Sequence, residues 1–286
     1  MDVIKISQPL FKELEVKPYI CVQVHSVFNS ACNLNSELGL ISVISETKRM
    51  NPRALMVNDT NWFQHLQPNH MVELVFSQKG SPPRPYQLKI NPQSVIQFSP
   101  YLSHKISLTQ QIKTTIYNYL YAHQKEMGIY PLLCLSEKLA MSSTVTYYSP
   151  MLSDYFLPKL FSFIDAVARH SLTIDLKCFV GFGSGLTPSS DDLLVGLLSV
   201  LDVLEHPYFA TLQSACLNAV DRTTDVSRVM LQSACEHQYS QEIVELYSAI
   251  NNEKHIGEAI SHLLSIGHSS GHDTLCGIYI GLIFFA

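Results

Sequence analysis

Near residue 105 the hydrophobic period of the chain changes from two to 3.6, and neither a single sheet nor a single helical bundle accommodates both. Before that point Tyr19 to Val24, Leu40 to Ile44, Ala54 to Val57, Met71 to Phe76 and Tyr86 to Ile90 are short β-favouring runs separated by Pro, Asn, Gly and Ser. Nine of the 14 prolines fall in this part, where they punctuate strands, and Asn61 to Leu66 reads as a helical turn. Beyond it Ile106, Ile112, Ile116, Tyr119 and Leu120 recur on one helical face. Helices are expected over 108–127, 153–169, 188–205, 208–221, 225–237, 240–251, 255–266 and 272–285. The expected fold is α+β: a small β barrel or sandwich over 1–104, then a mostly α-helical domain over 105–286.

Composition excludes several classes of function. The chain of 286 residues buries about three quarters of its extended surface, so it folds without staples. Its seven cysteines include no CxxC, which points to a reducing cytoplasm rather than a disulfide framework or zinc knuckle. No secretory signal or membrane span is expected, because MDVIKIS leads to no long apolar core and the uncharged run 274–286 is too short to cross a bilayer. Residues 178–286 carry only Arg222, Arg228 and Lys254 against 12 acidic side chains, a balance of 3 − 12 = −9. That sign excludes a nucleic-acid partner, which requires clustered cations. The low charged share of 15 % leaves surface that an assembly, including a homo-oligomer, can cover.

Chemistry concentrates in two segments. Gly181-Phe-Gly-Ser-Gly-Leu-Thr-Pro-Ser-Ser-Asp-Asp192 precedes an apolar run, with Thr187 and Pro188 resembling an N-cap and first helical residue. Gly183, Gly185, Thr187 and Ser189 are therefore candidates to cradle an anion with free backbone amides at the positive end of a helix dipole. The loop is neither a dinucleotide fingerprint nor a P-loop, since Leu186 replaces a glycine and the lysine is missing. Asp191 and Asp192 point in different directions, one suited to capping and the other to a ligand or metal.

Gly267-His-Ser-Ser-Gly-His-Asp273-Thr-Leu-Cys-Gly277 echoes the first segment, with a glycine four residues after Asp273 as Gly196 follows Asp192. Glycine inside a helix costs about 1 kcal/mol, so the spacing predicts close backbone packing of the two helices, with both helix starts and both aspartates converging. His268 and Ser270 then close the site. Asp191, Asp192 and Asp273 are hard oxygen ligands suited to Mg²⁺. The same residues also describe two capped core helices, and at this point both readings stand. Zinc through His268 and His272 lacks further ligands at the required spacing, and Arg228 reads as a charge balancer more than an anion clamp.

With GFGSGLTPSSDDLLVGLL at 181–198, SIGHSSGHDTLCGIYIG at 265–281 and, more weakly, VHSVFNSACNL at 24–34, the chain resembles the family of the helical third subunit of bacterial oxamate carbamoyltransferase, an enzyme of anaerobic allantoin and purine catabolism. The resemblance implies a transferase subunit that works with two other proteins to phosphorolyse oxalurate to oxamate and carbamoyl phosphate. Both phosphate and carboxylate suit helix amino-terminal ends. In the acidic carboxyl-terminal part such an anion needs Mg²⁺, a basic partner surface, or both. A metabolite-binding or scaffold protein without catalysis of its own is the alternative.

Overall fold

The structure, a computed structural model, describes residues 1–76, 86–103, 106–123, 125, 127–139, 141 and 155–286. It divides into two compact units, Met1–Tyr101 with Tyr239–Gln241, and Leu102–Gln238 with Glu242–Ala286. The residues at the expected boundary, 104 and 105, and the start of the expected helix at 153 and 154 lie outside the described residues, as do 124 and 126 in the expected helix 108–127.

The first unit is the sheet expected from the period-two runs. Its elements are β1 (Val3–Ser7), α1 (Gln8–Val16), β2 (Tyr19–Phe28), β3 (Ala31–Ser36), β4 (Gly39–Ser45), β5 (Ala54–Val57), β6 (Met71–Phe76), β7 (Gln87–Ile90) and β8 (Ile96–Phe98), with a 3₁₀ turn over Thr60–His65. One eight-stranded sheet runs β7-β6-β2-β3-β4-β5-β1-β8. It curls until a bridge from Asp2 to Lys89 joins the start of β1 to β7, so the single sheet closes on itself and is not a sandwich. Along β2, Ile20, Val22 and Val24 face the core while Tyr19, Cys21 and Gln23 face outward, the alternation a half-buried strand requires. Leu10, Phe11 and Leu14 of α1 join that core with Ile41, Val43, Leu55 and Phe63.

The second unit consists of α2 (Gln110–Ala122), α3 (Tyr130–Leu133), α4 (Leu157–Ala168), α5 (Ser189–Val203), α6 (Tyr208–Leu217), α7 (Asp225–Cys235), α8 (Gln241–Asn251), α9 (Ile256–Leu264) and α10 (Ser270–Phe285). Helices α5 and α10 are buried on nearly every side, as helices apolar all round must be, and they pack on each other at the centre. A side chain at Gly196 would run into the Thr274 carbonyl oxygen, and one at Gly277 into the Leu193 carbonyl oxygen. The two glycines expected from spacing are therefore where the helix backbones touch. Gly281 continues the stripe against Val200. Among the described residues no helix is long and apolar enough to cross a membrane.

Candidate functional site

The glycine loop is held from both sides before α5 begins. Ser190 donates its N–H to the Phe182 carbonyl at 3.0 Å, and Phe182 returns its own N–H to Ser190 Oγ at 2.9 Å. Gly183 has φ +130°, and a side chain there would strike Ser189 N, so only glycine lets the loop lie on the helix start. Thr224 Oγ1 of the α7 N-cap donates to the Leu186 carbonyl. Between these anchors Gly183, Ser184, Gly185 and Leu186 are exposed. Thr187 is not the N-cap: Pro188 occupies that position with φ −57° and ψ 144°, and Thr187 Oγ1 instead lies 2.8 Å from Ser270 Oγ at the start of α10. The proline supplies no capping side chain, and the loop spends the Ser190 amide on itself.

The neighbouring aspartates have separate surroundings. Asp191 is buried and accepts from Gly181 N at 2.8 Å, from Ser227 Oγ at 2.6 Å, and from the Thr223 and Ser190 hydroxyls, which ties the loop, α5 and α7 together. Its oxygens are committed to structure. Asp192 is half-buried, and the Ser270 hydroxyl of α10 and the Thr187 hydroxyl of the loop favour its charged form. Burial first, and then the neighbouring Asp273 charge, push its carboxyl well above the usual range.

Asp273 completes the arrangement from the other helix. It is fully buried and accepts the Ile129 N–H at 2.7 Å on Oδ1, and the Ser189 and Ser269 hydroxyls favour its charged form. Burial raises it to about 6 despite those bonds. Asp192 Oδ2 and Asp273 Oδ2 are sealed from water and have no hydrogen-bond partner. The support is reciprocal: Ser270 at the start of α10 serves Asp192, and Ser189 at the start of α5 serves Asp273. Each serine precedes the aspartate of its own helix by three residues, so Ser-x-x-Asp-x-x-x-Gly occurs twice, at 189–196 and 270–277. That repeat extends the Asp-to-Gly spacing by one serine at each helix start. Ile129, 144 residues away, carried no sequence signal of its role.

The candidates thus fall into three groups. Thr187, Ser189, Asp192, Ser270 and Asp273 meet where α5 and α10 begin, with Gly183 and Gly185 in the adjoining loop. Asp191 belongs to the loop's framework, and among the described residues no three His, Cys, Asp or Glu side chains form a group that could hold a metal. His268 lies exposed in the turn before α10, whereas His272 is buried with its ring edge against Tyr130 and Nε2 3.4 Å from the Leu120 carbonyl. Burial lowers the His272 pKa to about 4. The two histidines therefore do not act as a pair. Arg228 is an ion-pair partner of Asp225 at 3.0 Å. An open cleft of about 470 Å³ between α8 and α9, lined by Glu245, His255, Glu258 and His262 among others, contains none of the candidate residues.

Residues 2–100 match the family model described as the AllH family N-terminal domain, and residues 179–282 match the model described as oxamate carbamoyltransferase subunit AllH. No solved structure matches the chain.

Proposed function

Because the chain belongs to the AllH family, it is a subunit of the oxamate carbamoyltransferase type, and we propose that the joined starts of α5 and α10 receive the small anionic reactants of that enzyme. The reaction runs between oxalurate plus phosphate and oxamate plus carbamoyl phosphate. A phosphate oxygen attacks the carbamoyl carbon, the bond from that carbon to the oxamate nitrogen breaks, and the nitrogen takes up the proton released by phosphate. Both sides carry carboxylate and phosphate charge, which oriented amides and hydroxyls accommodate. In this reading Gly183 and Gly185 present backbone to the anion, Thr187, Ser189 and Ser270 present hydroxyls, and exposed His268 closes the rim. The enzyme operates in the bacterial cytoplasm in purine catabolism, with two partner subunits contributing the groups this chain lacks.

The observation that carries the proposal is the convergence of two helix starts through the 2.8 Å Thr187–Ser270 contact, beside two carboxylates that each keep one oxygen without a hydrogen-bond partner. The test is carbamoyl phosphate formation from oxalurate by the reconstituted complex. Asp192→Ala, in a chain that still folds and assembles, is expected to lower turnover by at least about 100-fold, the scale of a lost electrostatic contact in a buried site. Unchanged turnover removes the site, and assembly without dependence on it favours a scaffold role.

A further inference from the structure

The cleft between α8 and α9 holds none of the residues given a role above, yet its charge is of one sign. Residues 241–264, which form both helices and the turn between them, carry Glu242, Glu245, Glu253 and Glu258 against Lys254, a balance of 1 − 4 = −3. Glu245, Glu258 and Lys254 of that set line the cleft. In the turn Glu253 and His255 adopt left-handed φ of +54° and +57°, where glycine is the usual occupant. His255 closes on Glu258 at 3.1 Å, and His262 on Glu245 at 3.7 Å. The Glu258 and Glu245 side chains keep 73 % and 38 % of their surface exposed to solvent. His255, His262 and Glu258 also border a second hollow of about 550 Å³, where Tyr119 of α2 forms the wall. Gly257 brings the start of α9 up to that wall, because a side chain there would strike Tyr119 Oη. One acidic strip therefore crosses two adjoining hollows.

This shape and chemistry suit a chain segment and not a small molecule. Small-ligand pockets enclose most of their ligand among apolar walls, whereas both hollows are open and are rimmed by solvated carboxylates. The surplus of carboxylates calls for a cationic occupant. One oxygen of each glutamate, Oε2, is engaged by an imidazole, so neither presents the two open oxygens that a guanidinium fork matches. An ammonium, a compact charge with three donors on a flexible stem, fits such a carboxylate. We propose that the α8–α9 cleft is the docking surface for a lysine-bearing segment of a partner subunit, whose ammonium groups Glu245 and Glu258 receive. Membership in a family of enzyme subunits supplies the partner, independently of where the anion binds. Exposed charge contacts steer encounter and fix register more than they add affinity, so the cleft speeds and orients assembly.

The test measures association of the purified full chain with its purified partner subunits by biolayer interferometry, at about 0.05 M and about 1 M salt. Glu245→Lys combined with Glu258→Lys, checked for folding by circular dichroism, is expected to slow association at low salt by at least about tenfold, with the difference vanishing at high salt. Where that variant does not fold, the wild-type complex is treated with a carbodiimide, which joins a carboxylate to a nearby amine as an amide while the reagent takes up the water. Mass spectrometry is then expected to find Glu245 or Glu258 joined to a lysine of a partner subunit. Unchanged rates in the folded variant, or no such joining, would overturn the proposal. A variant that alters only self-association of the isolated chain would overturn it too, by making a second copy the occupant. Salt-dependent slowing in a complex that does not turn over oxalurate leaves the docking surface standing and removes the carbamoyl-transfer reading alone.

Discussion

The β unit and the α5–α10 pair bury polar groups of different kinds. Ser7, Asn33, Ser45 and Gln87 are the buried polar side chains among the described strands of the first unit, all neutral, whereas the helical unit buries Asp191, Asp202, Glu242, His272 and Asp273. Both units contain orphaned atoms: Ser7 Oγ and Gln87 Oε1 in one, Asp192 Oδ2 and Asp273 Oδ2 in the other. An orphaned hydroxyl or amide costs about 1–3 kcal/mol, a cost that a well-filled core offsets, while a charged orphan costs more. The lesson is that the sheet is organised for burial, and the helix pair retains charges that burial alone would have eliminated.

The sharpest way to break that contrast is to disturb the contact that brings the charges together. Gly277→Ala inserts a methyl into the Leu193 backbone and is expected to cost about 3 kcal/mol or more, since neither helix can yield to a backbone clash. Urea unfolding followed by far-ultraviolet circular dichroism measures it. A cost below about 1 kcal/mol would show that α5 and α10 are not locked together.

Acid tests the second buried group on α10. His272 has a folded pKa near 4 against an ordinary 6.5, so it is neutral when folded and binds its proton more readily when unfolded. Its contribution is complete above about pH 6.5 and is lost as pH falls towards 4, amounting to about 3 kcal/mol. Asp273 has the opposite sign: its raised folded pKa means that the folded state gains relative stability as pH falls from about 6 towards 3.8. The two slopes oppose each other, so His272→Asn is expected to leave a chain that loses little stability, or gains some, on acidification over that range. Denaturant midpoints at pH 7, 6, 5 and 4 for both proteins check this.

The adjacent aspartates provide a subtler comparison. Asp191→Asn puts an NH2 donor where the oxygen that accepts from Ser227 and Thr223 stands, while its amide oxygen can still accept from Gly181, and is expected to destabilise by about 2 kcal/mol. In the barrel the corresponding small change is Ile41→Val, expected to cost about 1 kcal/mol through lost packing and insensitive to both pH and metal. Pronounced pH dependence in that variant would erase the distinction between the two units.

Much of this organisation was legible in the chain itself. Short β-favouring runs between Pro, Asn, Gly and Ser exposed β2, β4, β5, β6 and β7, and helical spacing exposed α5 to α10. Strand β3 was missed because Asn33 and Asn35 disfavour strands; Asn33 is tolerated because its side chain donates to Ser26 Oγ and accepts from Ser42 Oγ, both at 3.0 Å. Helix α1 was missed because it is nine residues long and opens with Pro9. At the site, Gly196 and Gly277 were readable because a helix glycine has few other reasons to exist. That Asp191 and Asp192 point apart was readable from their adjacency, but the Thr223 and Ser227 hydroxyls at Asp191 and the Ile129 amide at Asp273 come from distant segments whose positions no local period encodes.

The central claim is that Asp192 and Asp273 are retained at the expense of stability. Its most direct test is the unfolding free energy of the wild-type chain and Asp192→Asn at pH 8 and pH 5 in the presence of a chelator. A carboxyl whose pKa is raised on folding becomes more costly to the folded state as pH rises, and the amide removes that cost. The variant is predicted to be more stable than wild type at pH 8, by about 1 kcal/mol or more, with the gain shrinking at pH 5. A variant that is less stable at pH 8 would contradict the account, because Asp192 would then be holding the helices together instead of being held between them.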